Sequence, residues 1–238
     1  MNISGSGSLP GGDYNEPIRI SGSGKINGSV SCSDLSISGS GHVYGDLRCR
    51  EGFRVSGSGR VDGNISSGDI TVSGSCHIGG DAQADSCSVS GSLHTGSVRC
   101  NGLHISGALT AVQDVTAENA VVRGAIHSGG LINADKLDVE FSGSCDADSI
   151  GGSNLRIKKS GIVFNFFSKL FHRDAYCFTV KNSIEGDTVH LEHVVADTVV
   201  GRDVVIGDGC RIRHVIYRDH IDISENASVE LYEASAVG

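Results

Sequence analysis

VSGSGRVDGNI, residues 55–65, opens on an apolar residue and a Ser-Gly-Ser-Gly corner, runs through Gly59, Arg60 and Val61, and bends again at Asp62-Gly63-Asn64. The same corner returns along the chain behind Ile3, Ile20, Ile37, Val55, Val72, Val89, Ile105, Val122 and Val139, at spacings of 17, 17, 18, 17, 17, 16, 17 and 17 residues. A period in this range is too short for the common helical repeats. Built from strand-forming residues, it indicates a solenoid in which each repeat is one coil. In the coil that starts at Ile20, Gly24 and Ile26 flank an outward Lys25, Val30 and Cys32 flank Ser31, and Leu35 and Ile37 flank Ser36. Each triplet alternates with the two-residue period of a strand, so the coil has three short strands. Its corners are SGS at 21–23, NGS at 27–29 and SD at 33–34. Glycine suits such bends through positive φ or close backbone approach, and serine is small enough to stack on its copy in the next coil.

The columns persist along the repeat. Ile26, Val43, Val61 and Ile78 form one inward file; Val30, Leu47, Ile65, Ala82, Val98, Val115 and Ile132 form a second; Leu35, Phe53, Ile70, Cys87, Leu103, Ala120 and Leu137 form a third. A disordered Ser-Gly linker would not hold these registers across single-residue changes in spacing. Cys32, Cys49 and Cys100 share an inward column of small side chains with Ser67, Ala84, Ala117 and Ala134. Cys32 and Cys49, on adjacent coils about 4.8 Å apart, come within disulfide reach, and are expected as reduced, buried thiols.

Composition excludes several functions. Glycine supplies 34 of 238 residues with only 2 prolines and no Gly-X-Y period, which rules out collagen. A net charge of −9 and the lack of a basic arm argue against nucleic acid as a partner. The N-terminal MNISGSGSLPGG has no basic and apolar signal regions, and no run of about 18 apolar residues occurs, so a cytoplasmic protein is expected. No P-loop, GxSxG or HExxH is present, and no catalytic residues, cofactor or metal site are assigned.

One outward column stands five residues after each anchor: Lys25, His42, Arg60, His77, His94, Thr110 and His127. A solvated ridge is the expectation. The functional alternative is a strip for an anionic partner, or a pH-sensitive face, since stacked imidazoles resist joint protonation. Zinc between His77 and His94 lacks further ligands to complete a tetrahedron.

The repeat breaks after residue 157. KKSGIVFNFFSKLFHR, at 158–173, places Phe164, Phe167 and Phe171 at i, i+3, i+7, the spacing of a short amphipathic helix. A helix folded onto the solenoid is favoured over a membrane-surface or partner-binding element. Strand patterning resumes with Val189, Leu191, Val194, Ala196, Ile206, Cys210 and Ile212, as a shorter block of about three coils. The expected organisation is a β-helix over 1–157, a connecting segment over 158–176, and a second β-helical block over 177–238. Within the last, VVGRDVVIGDGCRIRHV at 199–215 is similar to the hexapeptide repeats of left-handed β-helix acyltransferases. That alternative, an acyltransferase or metal-dependent relative, would need an interfacial histidine from His190, His193 or His214.

The apolar-SGSG corner followed by KINGSVSCSDLSISGSGHVYGDL, residues 25–47, resembles the bactofilin, or polymer-forming cytoskeletal, family of bacteria. The resemblance covers roughly 18–157, and the later strands are similar to long, Firmicutes-like members. It implies a right-handed parallel β-helix that stacks end to end into nucleotide-independent filaments, a scaffold for cell shape or envelope machinery and not an enzyme. The implied partners are further copies of the chain and other bactofilin-like or envelope proteins. A typical member is one shorter β-helix flanked by flexible tails and a membrane-targeting peptide, whereas this chain starts almost on its first coil and adds a second block. Location at the inner face of the membrane is therefore an alternative that is not favoured. The stretches 9–17 and 227–238 depart from the repeat and are candidate caps for the ends of the stack.

Overall fold

The computed structural model describes residues 1–161 and 177–235. They fall into two compact units, Met1–Ala117 and Glu118–Gly238. In each, short strands pair in parallel with strands one coil away, which is a β-solenoid, and no helix occurs among the described residues. Phe164, Phe167 and Phe171, with the helix expected around them, lie outside the described residues; Lys158 and Lys159 end the strand Ser149–Lys159.

In the first unit the anchors stack as the spacing requires: Ile20 on Ile37, Ile37 on Val55, Val55 on Val72, Val72 on Val89, and Val89 on Ile105. The irregular spacings are absorbed at bends. Cys32 pairs with Cys49 but Asp34 with Gly52, so the longer coil bulges at Arg50-Glu51. The shorter step is taken up between the His77–His94 pair and the Ala82–Val98 pair. Ile26, Val43, Val61 and Ile78 are buried, as are Val30, Leu47, Ile65, Ala82 and Val98, and Leu35, Phe53, Ile70, Cys87 and Leu103. A core only one coil wide thus runs through the unit.

The SGSG corner keeps the backbone ladder intact where the chain turns. Ser38, Ser56, Ser73 and Ser90 donate their N–H to the carbonyls of Ile20, Ile37, Val55 and Val72, and Ser40, Ser58, Ser75 and Ser92 donate to Gly22, Gly39, Gly57 and Gly74, all at 2.8–2.9 Å. Coils packed this closely leave no space at the bend. A Cβ on Gly39, Gly57, Gly74 or Gly91 would overlap the carbonyl oxygen of the corner glycine one coil earlier. None of these glycines has positive φ, so close approach and not left-handed backbone dictates glycine here; at the NGS corner Gly28 does turn with φ 114°. The inner glycines Gly24, Gly41 and Gly59 make room for the branched anchors Ile20, Ile37 and Val55, and further along the file Cys76, Leu93 and Leu109 take that space.

In the second unit Leu137, Leu155, Val189, Val204 and Ile221 form one register file. Strand Phe178–Leu191 lies directly on Cys145–Ala147 and Ser149–Lys159, so the coil after the 162–176 stretch continues the stack laid down before it. Phe141 meets Phe178 edge to face at 6.1 Å inside this stack. Burial fades toward the last coil: Ile212 is buried, Ile221 and Val229 are half-buried, and Leu231 is 53% exposed.

Two pairs of substitutions check the faces and the corner. Val61→Asp places an unpaired carboxylate between two coils and should cost more than about 4 kcal/mol, whereas Arg60→Ala, on a half-exposed side chain, should leave the thermal midpoint nearly unchanged. Equal midpoints for the two would show the faces reversed. Gly74→Ala should destabilise by at least about 2 kcal/mol by forcing the Gly57 carbonyl aside, while Ser73→Ala should be neutral in the same denaturation experiment.

Candidate functional site

The outward column forms in the first unit as a continuous ladder. Lys25 is in register with His42, His42 with Arg60, Arg60 with His77, His77 with His94, and His94 with Thr110. The His77 and His94 rings stack with centroids 4.9 Å apart and planes 6° from parallel, a direct result of parallel pairing at equal side-chain orientation. His42 instead stacks on Tyr44 at 3.8 Å. Its Nε2 lies 3.0 Å from Asp62 Oδ2 as a charge contact without hydrogen-bond alignment. Arg60 Nε donates to the other Asp62 oxygen at 2.8 Å. Asp62 thereby contacts two members of the ladder, and the His42 and Arg60 contacts hold its carboxyl below the usual carboxylate range. His77 is pushed the other way from a salt-bridged imidazole: burial comes first, then the Arg60 and His94 charges, all favouring the neutral ring against the weaker pull of Asp62. His127 belongs to the second unit, where its Nδ1 meets Asp146 Oδ1 at 2.5 Å on the next coil.

A second column, at the corners, is structural. Asp46 Oδ1 accepts the backbone N–H of Asn64, Asn64 Oδ1 accepts that of Asp81, and Asp81 Oδ1 accepts from the Ser97 hydroxyl, each at 2.8 Å. Ser29 begins the file by accepting from the Asp46 N–H at 3.0 Å. Its sequence signal is a Ser, Asp or Asn after glycine in successive coils, at Gly28-Ser29, Gly45-Asp46, Gly63-Asn64, Gly80-Asp81 and Gly96-Ser97. Ser29, Asp46, Asn64 and Asp81 border a groove of about 560 Å³ whose outward residues include Asp13, Ser31, Arg48, Ser66 and Gln83.

The small-residue column holds Cys32, Cys49, Ser67, Ala84, Cys100 and Ala117, all buried, and the Cys32 and Cys49 sulfurs are 3.7 Å apart with both thiols free. Burial pushes Cys76 and Cys87 up to about 12, and Cys100, Cys145 and Cys210 up to about 11, which suits inert packing groups. The histidines considered for an acyltransferase do not converge. His190 faces outward in register with Arg156 and Val205, and His214 is on a different side of the coil, in register with Thr198, its Nε2 3.1 Å from Glu233. His193 sits at the corner between strands with φ 54°, and its ring fills the space a side chain at Gly209 would need. Among the described residues no group of three or more His, Cys, Asp or Glu is placed to hold a metal ion, and no helix is long and apolar enough to cross a membrane.

The ends of the stacked strands carry a different kind of chemistry. Ser6–Asp13 pairs only with Ser23–Ile37, and Ser228–Ala234 only with Arg211–Ile223. Each leaves one row of strand N–H and C=O groups without a strand partner among the described residues. The 9–17 stretch is built into its coil: Leu9 to Asp13 continue the strand across a bulge, the Tyr14 N–H reaches Ser31 O at 2.7 Å, and Arg50 binds Asn15.

Residues 3–83 match the model of the bactofilin family, described as polymer-forming cytoskeletal. The chain is also similar to two proteins of Bacillus subtilis (strain 168), the uncharacterized protein YhbF at 28% identity over 102 residues and the uncharacterized protein YhbE at 32% over 103. Each similarity covers 42% of this chain and only 40% or 41% of the relative, so the chain spans well under half the length of either. No solved structure matches the chain significantly.

The neutral state favoured at His77 has a defined pH consequence. Its folded pKa lies below the ordinary value of about 6.5, so the unfolded chain binds more protons as pH falls through that value, and stability should drop between about pH 7 and pH 5.5. Carboxylates titrate below this window. His77→Gln should flatten that part of the curve of thermal midpoint against pH; an unchanged slope would show that His77 does not contribute.

Proposed function

We propose that this chain is a non-enzymatic bacterial cytoskeletal scaffold whose copies add end to end into filaments without nucleotide, supporting cell shape or envelope-associated machinery. The observation that carries the reading is the open parallel edge, at Ser6–Asp13 in one unit and at Ser228–Ala234 in the other. Such an edge has backbone donors and acceptors in the register the fold already uses between coils, so a strand from a second copy extends the ladder without new side-chain chemistry. Exposed Leu231 and Tyr232 beside the second edge add apolar surface that a further coil would cover. The polymer-forming description of the family matching residues 3–83 agrees with this.

Self-association is thus the partner relation we favour, with other bactofilin-like or envelope proteins as clients of the polymer. We place the activity in the cytoplasm, with any membrane contact at the inner face. The outward ladder from Lys25 to His94 is a solvated ridge in this reading, available to an anionic partner along one side of the first unit.

Sedimentation and electron microscopy of the purified chain, without nucleotide or metal, test the reading. Extended polymers are expected, and a discrete trimer with stoichiometric metal would replace it with the left-handed acyltransferase alternative. Leu231→Lys should shift the protein toward shorter species at an unchanged thermal midpoint. Polymers as long as those of the parent would assign the contact to the Ser6–Asp13 edge.

A further inference from the structure

Among the described residues one pair of sulfurs comes within contact distance. Cys32 and Cys49 are direct partners in adjacent parallel strands, with Sγ atoms 3.7 Å apart and side chains 0% and 3% exposed. Strand spacing of about 4.8 Å lies inside the Cα separation that a disulfide tolerates, and the sulfurs need to close by about 1.7 Å to reach bonding distance. The bend just beyond them is where the register slips, with Arg50 and Glu51 set against Ser33 alone. A bulge interrupts the ladder and gives the backbone room to shift.

We propose that Cys32 and Cys49 form a redox-active dithiol, which hydrogen peroxide oxidises to a disulfide joining two consecutive coils of the first unit. The roles of the sulfurs are unequal. Either thiol can donate to the other across the 3.7 Å contact; with Cys49 as the donor, this hydrogen bond, helped by the Arg50 guanidinium, lowers the Cys32 pKa against the opposing effects of burial and Asp34. The same hydrogen bond and burial raise the Cys49 pKa. Cys32 is the nucleophile and Cys49 the resolving thiol. In the first step the Cys32 thiolate attacks one peroxide oxygen, the O–O bond breaks, and the departing hydroxide takes a proton to become water, leaving a sulfenic acid. Cys49 then attacks the Cys32 sulfur and gives up its proton, the S–O bond breaks, and the hydroxide leaves as a second water. Two thiols lose two electrons and one peroxide gains them.

The column itself shows that neither sulfur is required for packing, since Ser67, Ala84 and Ala117 fill equivalent positions. Two stacked thiols on adjacent coils therefore bring a chemical consequence that serine and alanine would not supply. The bridge would fasten together the coils on either side of the bulge, where the ladder is weakest.

The test is brief treatment of the folded chain with hydrogen peroxide, then alkylation in denaturant, intact mass and a proteolytic map. The parent should lose the Cys32 and Cys49 thiols together, showing a 32–49 linked peptide that dithiothreitol cleaves, and its thermal midpoint should rise by about 5 °C. Cys49→Ala should form no bridge and should accumulate a dimedone-trapped sulfenic acid on Cys32, while Cys32→Ser should leave Cys49 unmodified. Free Cys32 and Cys49 in the treated parent would overturn the proposal, as would their bridging only after denaturation. Should either variant fail to fold, the linked peptide in the parent decides alone.

Discussion

The structure depends on one constraint: the backbone hydrogen-bond ladder between coils must pass through the corners as well as the flat sides. In the first unit the corner serines supply that continuity, donating to the anchor carbonyl of the preceding coil and then to its corner glycine. Strands one ladder step apart leave no volume for a Cβ at the bend, and so a file of glycines runs from Gly22 to Gly107. The usual cost of glycine in a strand-rich fold is conformational entropy; here it is offset by hydrogen bonds that a side chain would break.

Parallel pairing in register has a second consequence, which is that like meets like. Valines and isoleucines stack into a core one coil wide, and the same rule aligns His77 with His94 and Cys32 with Cys49. Where the stacked groups are apolar this is stabilising. Where they ionise, the neighbour acts on the proton, as burial, Arg60 and His94 do at His77 and as the shared hydrogen bond does for the thiols. Charge is relieved by offsetting the partner one or two residues along the coil. Asp62 beside His42 and Arg60 is such an arrangement; in the second unit Glu140 instead meets Lys158 in direct register, and Arg123 contacts both Asp138 and Glu140.

A repeat that satisfies its backbone only through its neighbours also defines where association can occur. The sides of a coil present polar side chains whose carboxylates and amides are already engaged, as Asp46, Asn64 and Asp81 are by corner N–H and hydroxyl groups. The row of strand groups along Ser6–Asp13 and along Ser228–Ala234 is, among the described residues, paired on one side only. Among the described residues, the surface most like the interior of the fold thus lies along these two strands, which is why the proposed association is placed there and not at a side-chain cluster.

Sequence alone determined the parallel solenoid, the anchors and the inward files, because a strand's two-residue alternation and a coil's recurrence are one-dimensional properties. Ile26, Val61, Leu35 and Phe53 could be assigned to the core without coordinates, and Lys25 to Thr110 to one outward column. Tertiary structure decided what those positions meet. Glycine at the SGSG corner could have served positive φ or close approach, and only the neighbouring carbonyl shows it to be approach. The partners of His42, Tyr44 and Asp62, are set by side-chain rotation, which spacing does not encode. Likewise, the chemical break after residue 157 is no break in the stack, because Leu155 pairs with Val189 across the intervening residues. Pairing is a relation between distant segments, and a local pattern can state that a strand exists without stating which strand it joins.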